Sequence, residues 1–295
     1  MTQQVQNVGD QDRSMPSTVQ DAAHIPALAH TEAARMAASE LDRFLALLGQ
    51  LSEEDWAKPT ACARWDVRQV VAHMAGSAAS IISLAEFRRQ GSGRVQRPYR
   101  RAGFSKLDAL NQIQVDDRAD ASPDELIAEM QQFGPRSVAR RERLPAALRA
   151  VRLPLGLSFP LGRVWVPIGY MMDTILLRDA WMHRLDICRA TGREMVTTPE
   201  HDGRFTALVV RELASTIAAG LDGASLTYEL SGPAGGAWRI GRELATPAAS
   251  IRMDALDFHL LASGRLSPVA ARELVDIRGD EELGNRVREL TSVPY

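Results

Sequence analysis

Cysteine is almost missing from this chain: Cys62 and Cys188 are the only two in 295 residues. Two thiols cannot build a disulfide framework, which points to a reducing compartment. Lysine is equally scarce, since of 35 basic residues only Lys58 and Lys106 are lysine and the rest are arginine. The formal net charge is −2, so no global field favours nucleic acid or an acidic membrane surface. No apolar run approaches the roughly 18 residues that a membrane span requires. The first residues, MTQQVQNVGDQDRSMPSTVQD, have neither a basic start nor an apolar segment and do not read as a secretory signal. The expectation is a cytoplasmic protein with a disordered leader over residues 1–27, and with neither nucleic acid nor membrane as partner.

What is present is ordinary for a soluble globular chain: 45% apolar and 24% charged residues, with length enough for two modest domains. Residues 30–50 carry apolar side chains at helical spacing with no breaker before Gly49. Asp66 is a good N-cap for a second helix running to about Gln90, with Val67, Val70, Val71 and Met74 as its apolar stripe and His73 close beside it. Gly76 and Ser77 thin that helix and permit close approach by another element. Arg88 to Lys106 holds seven basic residues and no acidic one, which reads first as a solvated loop and second as an anion-attracting patch. Ser105 caps a third helix. Ser122, Pro123 and Glu125 open a fourth that Gly134-Pro135 and Pro145 should kink or split. PLGLSFPLGRVWVPIG reads as a loop, followed by a helix ending at Gly192 and one more helix to about Leu221. After Gly223 short segments with period-2 character appear between Gly and Pro, then a helix, a strand and a closing helix. The fold class is therefore α+β, with a helical domain over 28–222 and a small α+β domain over 223–295.

The stretch RDAWMHRLDI sets Asp179, His183 and Asp186 on nearly one face of a helix. His73, on a second helix, is the natural third donor. Two imidazoles and one carboxylate around an open position form the donor set of many catalytic zinc sites and of some iron sites. Asp186 could then hold the other ring nitrogen of His183. A D-x3-H pair also occurs on ordinary helices, so the residues alone leave a metal site and a merely polar helix face both open.

LLGQLSEEDWAKPTACARWDVRQVVAHMAG resembles the N-terminal signature of the mycothiol-dependent maleylpyruvate isomerase family, among the DinB-like metal-binding four-helix bundles. DALNQIQVDDRADASPDELIAEM and HRLDICRATGR are similar to that family's middle segments. LSGPAGGAWRIG, DALDFHLLASGR and VDIRGDEELGNRV look like its sterol-carrier-like C-terminal domain. The resemblance spans about residues 28–292. By position it implies a metal held by His73, Asp179 and His183, with Asp179 one methylene shorter than the Glu of the family's pattern. Mycothiol is a thiol of high-GC actinobacteria, which agrees with the arginine bias.

The resemblance further implies a cytoplasmic isomerase or S-transferase whose divalent metal, zinc foremost, presents mycothiol as a thiolate to a small electrophilic substrate. The alternative is a non-catalytic DinB-like metal-binding module serving as sensor or dimerisation unit. The partners implied are a low-molecular-weight thiol and a small electrophile, acting on a monomer or homodimer. Arg265, in ASGR, is a candidate catalytic residue because a guanidinium matches a substrate carboxylate bidentately. Cys188 should point away from the metal, and Cys62 could approach it. Trp65 and Trp181 read as packing residues, and Asn111 and Gln114 as solvent-exposed ones.

Overall fold

The computed structural model describes residues 18–62, 64–159, 162–242 and 246–295. In chain order its elements are β1 (Val19–Asp21), α1 (His30–Leu48), α2 (Val67–Ile82), α3 (Leu84–Gln90), α4 (Gly93–Arg101), α5 (Lys106–Asp116), α6 (Pro123–Glu142), α7 (Ala146–Ala150), β2 (Arg152–Phe159), β3 (Gly162–Pro167), α8 (Ile168–Tyr170), α9 (Leu176–Thr191), α10 (Arg204–Ile217), β4 (Ser225–Ser231), β5 (Gly236–Gly241), β6 (Ala249–Asp254), α11 (Ala255–Ala262), α12 (Pro268–Leu274), β7 (Asp276–Gly279) and α13 (Glu281–Leu290). They form two units: a helical one over Leu28–Met195 with Pro294–Tyr295, and an α/β one over Val196–Val293 with the described residues up to Ala27. The mixed α+β class read from the sequence is the class observed.

In the helical unit α1, α2, α6 and α9 pack on one another, and α5 lies across α2. Local chemistry sets where these helices start. Asp66 accepts from the Gln69 amide while the Gln69 side chain accepts from the Asp66 amide, and Ser122 and Glu125 repeat this reciprocal cap with Pro123 in the first turn of α6. Gly192 ends α9 at φ 69°, a conformation only glycine adopts without strain. Phe44, Val70, Val71, Leu126, Leu177, Trp181 and Leu185 are sealed from water, each contributing about 1.5–3 kcal/mol by burial. An ion pair lies in this interior: Arg184 on α9 donates from Nε and Nη2 to the two carboxylate oxygens of Glu40 on α1, at 2.6 and 3.1 Å.

Several expectations need correction here. The second helix does not run unbroken to Gln90; Ser83 leaves helical geometry (φ −126°, ψ 114°), and its hydroxyl caps α3 by accepting from the Glu86 amide. The basic stretch is not a loop, because Ser92 caps the short helix α4 within it. Helix α6 runs through Gly134-Pro135, where a side chain on Gly134 would collide with Leu41 of α1, and the break comes only before Pro145. The segment read as a Pro- and Gly-rich loop is the antiparallel hairpin β2–β3.

The α/β unit carries a five-stranded sheet in the order β1-β5-β4-β6-β7, with β1–β5 and β4–β6 parallel and the other pairs antiparallel. Tyr228, Phe258, Leu226 and Ile251 fill the space between sheet and helices. Helix α13 lies close on the sheet because Gly284 faces Ile277 with no room for a side chain. Of the expected leader, residues 1–17 lie outside the described residues, whereas Val19–Asp21 is an edge strand paired with Ala237–Arg239. Such a strand has no local signal, since its partner is far away in sequence. Helix α10, which the sequence reading placed in the helical domain, belongs to the α/β unit, so the chain divides after Met195.

Candidate metal centre

His73 projects from α2 and Asp179 and His183 from α9, and the structure brings all three together: one donor atom from each lies within 4.8 Å of the other two. The Nε2 atoms of His73 and His183 stand 3.3 and 3.4 Å from the two Asp179 carboxylate oxygens. Both rings are buried, and Asp179 is the donor nearest to solvent, with a side-chain exposure of 20%.

The outer nitrogens of both rings are already committed. Asp186 accepts from Nδ1 of His183 at 3.0 Å. On the other side, Gln90 Nε2 donates to the carbonyl of Gly76 and to Glu86, so its amide oxygen must accept from Gln114 Nε2 at 2.8 Å. The Gln114 oxygen therefore faces His73 Nδ1, at 2.8 Å, and that nitrogen carries the hydrogen. In its neutral form, with Nδ1 protonated, each ring turns an Nε2 lone pair toward Asp179. Two lone pairs and a carboxylate facing one point repel unless a cation sits between them, and separations of 3.3–3.4 Å are long for hydrogen bonds. The residues thus fit a divalent cation, with both imidazoles in the tautomer that ligation needs.

The same cluster also attracts protons, which compete with a metal ion for it. Burial acts to raise the Asp179 carboxyl, but the charges of His73 and His183 outweigh it and hold the group well below the usual carboxylate range. Burial acts to lower His183, but the Asp179 charge and hydrogen bonds with Asp179, Asp186 and Cys62 hold it well above an ordinary imidazole. A proton shared on this cluster is the simplest cation it accepts.

Other residues fall into place around the cluster. Trp65 covers it, its ring centroid 4.9 Å from that of His73 and 6.2 Å from that of His183, while its Nε1 donates to Gln112 at 3.1 Å. Cys62 does approach, its thiol 3.5 Å from Asp186, and Cys62, His183 and Asp186 make a second group of possible ligands. The first group has the stronger claim, because Asp186 is already spent orienting His183. Cys188 is buried apart from both groups. Gln114, expected in solvent, is buried and bonded to His73, because Gly76 lets α5 come close: a Cβ there would lie 2.5 Å from the Gln114 Cβ. Gln90 and the covering role of Trp65 were not expected from the sequence, and only the proximity of Gly76 to His73 hinted at such a contact. Arg265 lies in the α/β unit, half-buried after α11, where its amide donates to the Leu260 carbonyl beside Gly264 at φ 72°.

A helical unit in which two imidazoles and a carboxylate could hold a metal ion is thus joined in one chain to a mixed-sheet α/β unit. Residues 37–188 match the model of the mycothiol maleylpyruvate isomerase N-terminal domain, and the chain belongs to that family. Two similar solved structures are the crystal structure of the mycothiol-dependent maleylpyruvate isomerase, at 14% identity, and that of a variant of it with one histidine replaced by alanine, at 13%. Each alignment covers 85% of this chain and 93% of the other, with a TM-score of 0.52, so the likeness is one of fold. No curated protein matches the chain by sequence. Among the described residues no helix is long and apolar enough to cross a membrane.

Proposed function

We propose that the protein is a metal-dependent isomerase or S-transferase that uses a low-molecular-weight thiol, mycothiol by family, on a small electrophilic substrate. The observation that carries this reading is the convergence of His73 Nε2, Asp179 and His183 Nε2 within 4.8 Å, with each outer Nδ1 already satisfied. Three protein donors leave a coordination position open, which is the mark of a catalytic site; a structural zinc site is normally closed by four. Two imidazoles and a carboxylate are a donor set of catalytic zinc sites, and zinc is the cation we assign.

His73, Asp179 and His183 would hold the cation. When bound, it supplies a Lewis-acidic position that stabilises a thiol as its thiolate near neutral pH. Gln114 and Asp186 keep the two rings in the ligating tautomer, and Trp65 shields the imidazoles from water on its side. Asp179 is the most accessible of the three donors. In the α/β unit Arg265 is assigned the role of gripping a substrate carboxylate, and Arg265→Lys should raise KM more than it lowers kcat.

Purified protein incubated with mycothiol and a panel of activated alkenes and alkyl halides, with and without zinc, tests the reading. A zinc-dependent adduct or a cis–trans isomerisation is expected. Equal product with and without zinc, or none under either condition, contradicts it.

A further inference from the structure

The α/β unit holds a cavity of about 440 Å³, within the roughly 300–1,000 Å³ that small-molecule sites occupy. Arg211 of α10, Arg239 of β5 and Arg242 just beyond β5 line it, and Asp21 of β1 is the carboxylate among its described lining residues. Small apolar side chains, Ala214 and Ala218 among them, make up much of the remaining wall. Arg211 donates from Nε to the Ile25 carbonyl at 3.0 Å, which anchors one edge of its guanidinium. Arg239 donates from Nη2 to Asp21 at 3.2 Å, while its Nε is buried and has no acceptor among the described residues. Arg242 is exposed. Burial acts to raise the Asp21 carboxyl, but the Ala23 amide and Arg239 outweigh it and hold the group below its ordinary value. Asp21 is therefore ionised at neutral pH, and three guanidiniums against one carboxylate leave two positive charges on the cavity. None of these residues is a donor or a ring partner at the metal centre.

We propose that this cavity is a second ligand site of the protein, one that binds a phosphate group, free or carried by a small organic molecule. A phosphate dianion matches the surplus of two positive charges, whereas a monocarboxylate would neutralise half of it. Phosphate also offers terminal oxygens to more than one guanidinium at once, and the planar fork of arginine fits such oxygens. Arg239 is the strongest reason to look for a ligand here. Asp21 satisfies only part of its guanidinium, and a buried donor without an acceptor is destabilising, so a native fold rarely keeps one without a purpose. The alanines serve the other half of the ligand. Their short side chains leave the cavity open and give a carbon skeleton an apolar surface to lie on.

Calorimetry on the full chain in phosphate-free buffer tests this, with phenyl phosphate, inorganic phosphate and phenol as probes. Both phosphates should bind, and phenol should not. The double variant Arg211→Gln/Arg242→Gln should weaken both phosphates by roughly tenfold or more. Arg242→Gln alone, at an exposed position, guards against a folding defect and should show part of that loss at an unchanged melting temperature. Ala218→Phe, which fills the cavity and keeps every charge, should weaken phenyl phosphate by a similar factor. Phenyl phosphate bound more tightly than inorganic phosphate makes an organic ester the ligand, and equal affinities make it the free ion; either supports the site. No phosphate binding by the wild type overturns the proposal. So does an affinity unchanged in the arginine double variant, which would mean an adventitious ion only, or phenyl phosphate binding indifferent to Ala218→Phe. The test needs no metal, so it stands or falls apart from the reading of the metal centre.

Discussion

Gln114 of α5 accepts a 2.8 Å hydrogen bond from Nδ1 of His73 on α2, and that bond determines which nitrogen of the ring turns toward Asp179. A residue outside the donor set therefore governs the quality of the proposed metal site. Gln114→Ala frees the ring to rotate and to exchange tautomers, and zinc affinity should fall by about 10–100-fold. Gln114→Glu keeps an acceptor in place and should retain most of it. A competition titration against a chromogenic chelator separates the two, and an unchanged affinity in the Ala variant would contradict the role.

Gly76 makes that contact possible. A methyl group at this position would lie 2.5 Å from the Gln114 Cβ, and the obstacle is the root of a side chain and not its flexible end. Gly76→Ala would stabilise an isolated helix, yet here it should cost about 1–3 kcal/mol through overpacking and weaken zinc binding as α5 is pushed away. Denaturant unfolding measures the first effect. A stabilised Gly76→Ala protein would show that α5 does not press on α2 at Gly76.

Glu40 and Arg184 tie α1 to α9 one residue beyond His183, and both are buried. Removing one partner strands the other charge in the core. Glu40→Ala should therefore destabilise the fold by about 3–5 kcal/mol, whereas replacing both members with Met and Leu should cost far less. Urea melts of the single and double variants decide this, and additive losses would contradict it.

Burial pushes the Cys188 thiol up to about 11. A raised thiol pKa keeps the sulfur protonated until the pH climbs through that value, so at pH 8 only ~0.1% is thiolate. Ellman's reagent at pH 8 should modify one thiol per native chain, the half-buried Cys62, and a second only on unfolding. Cys62→Ser should abolish the native reaction. Rapid labelling of Cys188 in that variant would mean that α9 opens far more readily than its packing implies.

The convergence of His73, Asp179 and His183 was legible in the sequence because its parts follow from short-range rules: i to i+4 spacing puts Asp179 and His183 on one face, and an apolar stripe turns His73 inward. The caps at Asp66, Ser105 and Ser122 and the stop at Gly192 were legible for the same reason. The burial of Gln114 was not, since it depends on where α5 crosses α2. Nor was the strand at Val19–Asp21, whose partner is β5. The hairpin β2–β3 was concealed by its own prolines and glycines, and α10 gave no sign of which unit it would join.

The central claim is that His73, Asp179 and His183 hold one divalent cation between α2 and α9. Elemental analysis of the wild type beside His73→Ala, each purified, exposed to zinc and desalted, tests it most directly. The account predicts about one zinc per wild-type chain and a near-total loss in the variant at unchanged fold, as judged by circular dichroism. Equal zinc in the two proteins, or none in the wild type, would contradict it.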